Sequence, residues 1–436
     1  MAEVRPFRGL HYNQALLNHW ADDGCPVYDI ISPQQQEELY LRSEYNFVRL
    51  EYGRELPQDT TTDNRYTRAR TTLERWLEKS VLVADKTPAI YLYDQYFTHR
   101  GREYKRRGLI ARVRLEEWDK MVIRPHEGTM TEPRADRLNL LRALQTNTSS
   151  ILTLFEDRGR HIASLLAAQE QGEPLLNLRK IDGEGHRVWA ITDPEVIGQI
   201  QSYLAEESLY VADGHHRYES ALAYQRQQMV SLSSSSGEAG FNFVMMTLVE
   251  FTDPGLLVLP PHRLVRGIAK PTLRELMSNL KIFFDIEELP LNVSAVWEQV
   301  DSRFNEANGV RLIVGGLGVG RLFLLSLRDP AAISSMVPYF HSDLYKNLDV
   351  SVLDHVILEK FLGISGDTQS QLLGYSYDRE DAINRVLAQE YQLAFLLKPI
   401  KIETIKAIAD IRERMPRKST HFYPKLPAGL VINRLI

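Results

Sequence analysis

The segment Leu209-Tyr210-Val211-Ala212-Asp213-Gly214-His215-His216-Arg217-Tyr218-Glu219-Ser220-Ala221 constrains the fold more than any other stretch of the chain. Its short apolar run predicts a buried strand, Gly214 a turn, and residues 215–224 a helix. A strand that passes through one glycine into a helix calls for sheet and helix packed in layers. Helix N-termini carry outward-pointing amides and about half a positive charge, so they attract anions. A further cation there gains nothing from the helix. Arg217 and the two imidazoles are therefore expected to serve a bound group, with phosphate the first candidate. Arg217 offers a planar fork suited to phosphate oxygens, and Gly214 allows close backbone approach. The competing reading has His215, His216 and Arg217 capping the turn and pairing with Glu219.

Elsewhere, Ser32-Pro33-Gln34-Gln35 places a capping Ser, a Pro at the first helical position and Gln at the third, predicting a helix to about Arg42. Residues 46–51 read as a strand, and a helix surrounds Trp76. The β-rich runs 89–93 and 108–113 flank a polar, strongly basic stretch, 98–107, expected to be the solvated tip of a long hairpin. Residues 134–144 have helical spacing, 150–155 and 187–191 read as strands, and Asp193-Pro194 opens a helix. Runs 241–251 and 256–259 flank Asp253-Pro254-Gly255, which suggests a hairpin turn. Gly315-Gly316-Leu317-Gly318-Val319-Gly320 resembles a nucleotide loop, yet it joins two apolar runs with no helix after it, so a hairpin turn is expected. A final helix lies near 402–412. The alternation implies an α/β or α+β fold with mixed sheets and flanking helices. The serine run inside 231–240 suggests a boundary between an N-terminal region, 1–230, and a C-terminal region, 241–436, unless the chain forms one compact unit.

The formal charge of −5 over 436 residues shows no global basic excess, which disfavours nucleic acid as a partner. Cys25 is the only cysteine, so neither an intrachain disulfide nor a Cys-based zinc site can form. The opening MAEVRPFRGL lacks the apolar core of a secretory leader, and no run of ~18 apolar residues occurs. A cytoplasmic protein without a membrane partner is expected.

Three further segments carry residues suited to chemistry. In Arg124-Pro125-His126-Glu127-Gly128-Thr129, His126 and Glu127 form a proton-transfer or metal pair, and Arg137 on the following helix joins the phosphate-binding set. The spacing of a helical zinc protease is missing. In Met415-Pro416-Arg417-Lys418-Ser419-Thr420-His421-Phe422-Tyr423-Pro424-Lys425, two prolines stiffen a loop in which Lys418, Ser419 and Thr420 could bind an anion, although no glycine-rich P-loop precedes the lysine. Pro260-Pro261-His262-Arg263 adds His262 and Arg263 directly after a strand.

These segments, in this order, resemble the bacterial and archaeal family known as domain of unknown function 1015. Arg5-Pro6-Phe7-Arg8-Gly9-Leu10, Tyr28-Asp29-Ile30-Ile31-Ser32-Pro33, Pro125-His126-Glu127 with Thr129, Asp136-Arg137, residues 213–217 and residues 418–425 carry the resemblance. The opening motif alone is also similar to the phosphate-binding box of the ParB/sulfiredoxin-like superfamily, which includes CTP-binding partitioning proteins, sulfiredoxins and free-serine kinases. That likeness implies a core of the same kind, with Gly214, His216 and Arg217 holding nucleotide phosphates and Asp213 nearby. His215 stands where a sulfiredoxin has its cysteine, and the Asp-Gly-x-His-Arg pattern is closest to the kinase branch.

The leading expectation is a phosphotransferase-like enzyme that binds a nucleotide or phosphorylated metabolite, with ATP, ADP or CTP and Mg²⁺ as cofactors. Its candidate catalytic groups are His126, Glu127, Asp213, His215 and His216, with Glu127 or Asp213 ligating Mg²⁺. Two alternatives stand beside it. The same five residues could hold zinc, manganese or iron in a metal-dependent hydrolase, or the protein is a non-enzymatic nucleotide-binding regulator.

Overall fold

The computed structural model describes residues 2–16, 20–170, 172–179, 184–231, 237–291, 296–305, 309–366 and 369–436. The chain divides into two compact units. Unit 1 comprises Met1–Pro125, Thr129–Leu257 and Phe422–Ile436, and unit 2 comprises His126–Gly128 and Val258–His421. The units part at Leu257/Val258, whereas part of the 231–240 stretch lies outside the described residues.

Unit 1 is built on a nine-stranded mixed sheet. In chain order its strands are β1 (Val4–Arg5), β2 (Ile90–His99), β3 (Arg102–Arg114), β4 (Ile123–Pro125), β5 (Ile151–Phe155), β6 (Leu176–Arg179), β7 (Gly185–Ile191), β8 (Leu209–Asp213) and β9 (Phe243–Glu250). Their spatial order is β4-β8-β5-β9-β3-β2-β7-β6, with β1 beside β3. The β4–β8 and β5–β9 pairs are parallel and the others antiparallel. Around the sheet stand α1 (Pro33–Arg42), α2 (Val48–Glu51), α3 (Arg65–Glu78), α4 (Thr131–Leu144), α5 (His161–Gln169), α6 (Pro194–Ala205) and α7 (His215–Ser231). Ile90, Leu92, Val211, Tyr218, Met246 and Leu248 are among the side chains that close the core.

The α1 capping box forms as its sequence predicts, Ser32 and Gln35 exchanging side-chain and backbone hydrogen bonds. Three other expectations are corrected. Residues 46–51 are not a strand: Asn46 Oδ1 accepts from Val48 N at 3.0 Å, a side-chain turn that leads the chain into the short helix α2 against the local strand propensity. The expected long hairpin forms, but its 98–107 stretch is almost all strand rather than a solvated loop. Thr98 pairs with Glu103 and His99 with Arg102, leaving Arg100 and Gly101, both at positive φ, as a two-residue turn. Finally, β9 is flanked by β3 and β5, so it does not form a hairpin with residues 256–259.

Unit 2 has a six-stranded antiparallel sheet of β10 (His262–Val265), β11 (Phe284–Pro290), β12 (Arg311–Gly315), β13 (Arg321–Leu327), β14 (Leu373–Ser376) and β15 (Leu393–Leu396), ordered β11-β13-β12-β15-β10-β14. The glycine-rich 315–320 stretch is the β12–β13 hairpin turn, as expected, with Gly315 opposite Leu322. Val300, Ile313, Leu324 and Ala394 lie in its core. His262 and Arg263 follow the short strand Leu257–Leu259, as expected, and themselves open β10, whose backbone pairs with both β14 and β15.

Candidate functional site

β8 delivers Asp213 to the edge of the layer, and Gly214 turns the chain at φ +99° into α7. The turn is closed by Tyr218 N donating to Gly214 O at 3.0 Å. A Cβ on Gly214 would meet the Arg217 guanidinium at 2.9 Å, so that guanidinium lies directly against the turn.

Arg217 does not point outward as an uncommitted cation. Its Nη2 donates to Asp213 Oδ2 at 2.8 Å and its Nη1 to Ser150 O at 2.5 Å, which corrects the expectation that a first-turn arginine must serve a ligand alone. Its Nε, however, is buried with no hydrogen-bond partner among the described residues. Arg217 thus pairs with Asp213 rather than with Glu219. Glu219 accepts from Thr129 Oγ1 at 2.5 Å and lies 3.4 Å from Arg134 Nη1. His216 Nε2 accepts from Met130 N at 2.9 Å, which fixes the neutral ring with its proton on Nδ1. His215 is buried.

Lys425 completes the cluster. Its ammonium is ion-paired with Asp213 Oδ1 and lies 3.7 Å from Asp29 Oδ2. Burial alone would push that ammonium down; the carboxylates of Asp213 and Asp29 outweigh it and hold its pKa at about 12. The backbone that carries Lys425 is clamped by Arg106, whose guanidinium donates to Pro424 O at 2.7 Å, Tyr423 O at 3.4 Å and Gln95 Oε1 at 2.5 Å. Gln95 Nε2 in turn donates to Lys425 O at 3.3 Å. Arg106 is fully buried, forms no ion pair with any described residue and also has an unpartnered Nε. Burial lowers its pKa.

Arg137 has a different environment from the one expected. It donates to Glu51 O at 2.9 Å and to Asp136 Oδ2, with the Tyr28 ring 3.9 Å from its Cζ. Glu51 also accepts from Thr148 and Ser149 hydroxyls. Its N–H groups are thus engaged inside the protein, although Arg137 and Arg217 both line a cavity of about 40 Å³.

Unit 2 gathers the other segments. His126 Nε2 and Thr420 Oγ1 share a hydrogen bond of 3.0 Å, and Glu127 Oε1 accepts from Lys418 N at 2.7 Å. Lys418 adopts φ +57°, and its carbonyl accepts from Arg263 at 2.8 Å. Arg263 is fully buried, also donates to Pro261 O, and lies 3.3 Å from both oxygens of Asp354. Ser419 Oγ donates to Pro416 O, and Leu397 N donates to His262 Nδ1. The half-buried Lys418 ammonium makes no hydrogen bond or ion pair with any described residue. His126, Glu127, Lys418, Ser419, Thr420, His262 and Arg263 therefore meet within unit 2, while Asp213, Gly214, His215, His216 and Arg217 meet within unit 1. Among the described residues no three His, Cys, Asp or Glu side chains are grouped to hold a metal ion.

Lys425, Asp29, Arg106 and Gln95 were not singled out from sequence. Asp29 lies in a segment noted only for the resemblance, and Lys425 ends the loop from which Lys418, Ser419 and Thr420 were taken instead. Arg106 lies in the basic stretch read as a solvated tip; its alternation with Lys105 and Arg107 along one strand was the available signal.

The family described as "Protein of unknown function (DUF1015)" matches residues 4–351. No curated protein matches the chain. Similar solved structures include a conserved hypothetical protein from Pyrococcus furiosus, 13% identical over 75% of this chain and 95% of that one, with a TM-score of 0.37. A free serine kinase in complex with AMP is 14% identical over 74% and 92%, with a TM-score of 0.36. SbnI with a C-terminal truncation, from Staphylococcus aureus, is 10% identical over 72% and 84%, with a TM-score of 0.34. Likeness at this level transfers neither residue roles nor ligands. No helix among the described residues is long and apolar enough to cross a membrane.

Proposed function

The chain belongs to the DUF1015 family, which brings no activity with it, and we propose from the site itself that it binds a nucleotide or phosphorylated small molecule at the β8–α7 turn and transfers phosphate there. One observation carries this reading. Arg217 and Lys425 share the carboxylate of Asp213, Arg106 grips the backbone that carries Lys425, and Arg217 and Arg106 each retain a buried Nε–H with no acceptor among the described residues. Removing an ion from water costs several kcal/mol unless charge and hydrogen bonds replace the lost hydration. An anion with several acceptor oxygens supplies both.

The helix start adds its amides and dipole, and Gly214 presents no side chain to the incoming phosphate. Phosphoryl transfer asks mainly for positioning and charge stabilisation. Arg217 offers its Nε–H to the phosphate. Asp213 takes Lys425 on Oδ1 and Arg217 on Oδ2, and it is the carboxylate we assign to Mg²⁺ against phosphate oxygens. His215 and His216 flank the turn. Unit 2 carries a cation of its own, the Lys418 ammonium, on a loop fixed by Glu127 and Arg263.

Calorimetric titration of ATP, ADP, CTP, GTP and inorganic phosphate, with and without Mg²⁺, tests the reading on wild type and Arg217→Ala. The expected result is binding that Arg217→Ala weakens at least about tenfold, the scale of one charged hydrogen bond. No binding of any of these ligands to a folded wild type would overturn it. Binding without turnover against a panel of hydroxyl acceptors would favour the regulator over the enzyme.

A further inference from the structure

Unit 1 holds a second, larger cavity of about 630 Å³, lined from the sheet by Leu109, Phe155 and Leu248 and from α5 by Ile162 and Leu166. That volume and that apolar lining suit a small organic ligand. The charges at its rim indicate which kind. Arg107 chelates Asp94 at 2.7 and 2.6 Å and contacts Glu170 at 2.6 Å. Lys105 lies 3.2 Å from Asp94 and 3.3 Å from Glu170. Those two cations are matched by those two carboxylates.

The remaining rim carboxylates, Asp157, Glu250 and Asp253, form no ion pair with any described residue. Asp157 accepts from Ile162 N and Ala163 N at the start of α5. Asp253 accepts from Arg107 N at 3.1 Å and Gly255 N at 2.8 Å. Glu250 accepts from the amide and hydroxyl of Thr252. Against these three stands one further rim cation, the exposed Arg160. Each carboxylate oxygen of Asp253 accepts a single hydrogen bond and so has capacity for another. Burial also raises the Asp253 carboxyl to about 6, against the downward pull of the Gly255 and Arg107 amides and the Arg106 guanidinium.

We propose that this cavity binds an organic cation, an ammonium or guanidinium head on an apolar body, with the body against Leu109, Phe155 and Leu248 and the head between Asp253 and Asp157. The site is separate from the phosphate site and does not rest on it. A cation restores the missing charge, and the apolar body displaces water from the floor.

The test is calorimetry on the full chain at pH 7.5 with phenethylamine and hexylamine, each beside its alcohol and carboxylate counterpart. The amines are expected to bind at least about tenfold more tightly than either counterpart. Asp253→Asn should lose that preference. Because Asp253 also holds two backbone amides, Ala167→Trp, on the exposed face of α5 at the cavity, serves as a second variant that fills the space without touching a carboxylate; it should abolish amine binding. Arg217→Ala should leave amine binding unchanged. Equal affinity for amine and alcohol, amine binding insensitive to Ala167→Trp, or no amine binding at millimolar concentration would each overturn the proposal.

Discussion

Arg217 and Asp253 show how far a single residue's chemistry depends on neighbours distant in sequence. Read alone, a guanidinium on the first turn of a helix has no local reason to be there. In the fold Asp213 one turn earlier and the Ser150 carbonyl supply one, so only its Nε remains for a ligand. Asp253 reads as an ordinary turn residue, and its two hydrogen bonds to Arg107 and Gly255 amides fit that role. What the sequence hides is desolvation. A carboxyl at about 6 in the fold, against the usual 3.8, binds its proton more tightly when folded. The sign follows: its destabilising contribution is absent below about pH 4, grows as pH rises toward 6, and is fully present above that. A shift of that size corresponds to about 3 kcal/mol. Urea unfolding of wild type and Asp253→Asn at pH 4 and pH 7 should show the wild type losing about 2 kcal/mol more over that interval than the variant. Identical pH slopes would show that Asp253 is solvated after all. Asp349 in unit 2 is likewise raised to about 6 by burial, and it cancels in this comparison because both proteins carry it.

At the scale of elements, the legible parts were those whose signals are local. The α1 capping box, the β12–β13 glycine turn and the β8–Gly214–α7 passage each depend on residues within a few positions of one another. Residues 46–51 were misread because one Asn side chain outweighs the propensities of Phe47, Val48 and Leu50. The 98–107 stretch was misread because its charges are matched across the sheet: Arg107 by Asp94 and Glu170, Arg106 by carbonyls of residues 423 and 424. The turn before α7 is the element on which the proposed function rests most directly. Gly214→Ala would place a Cβ in the left-handed region and within 2.9 Å of the Arg217 guanidinium. The backbone term alone should destabilise unit 1 by about 1–2 kcal/mol. The displaced Arg217 should weaken phosphate binding as well. Urea unfolding gives the first quantity and phosphate calorimetry the second; unchanged affinity in a folded Gly214→Ala protein would detach the turn from the anion.

For the whole molecule, the order of residues along the chain is not the order of folding units. Nothing local announces that Phe422–Ile436 returns to the unit formed by the first part of the chain, so a boundary in the serine-rich stretch was the natural sequence reading. The return is anchored along its length. Ala428 bridges Cys25, Gly429 N donates to Thr148 O, and Ile432 exchanges hydrogen bonds with Leu10. Asn433 and Arg434 pair with Asn147 and Thr146, while Gly429 leaves room for the Phe47 ring, which lies 2.5 Å from where its Cβ would be. Phe422, Leu426, Leu430, Val431, Ile432 and Leu435 are all buried. At about 1.5–3 kcal/mol for each buried side chain, their removal costs as much as the 5–15 kcal/mol by which a typical domain is stable. A chain ending at His421 should therefore lose unit 1 while unit 2, with its own core and a continuous Val258–His421 segment, stays folded. Hydrogen exchange should show amide protection lost from β2, β3, β5 and β9 and kept in β10, β12, β13 and β15. The same truncation removes Lys425, so the phosphate site would vanish with the unit that builds it. Persistent protection of β2 and β3 in the shortened chain would mean that the C-terminal segment is an addition to unit 1 rather than part of its structure.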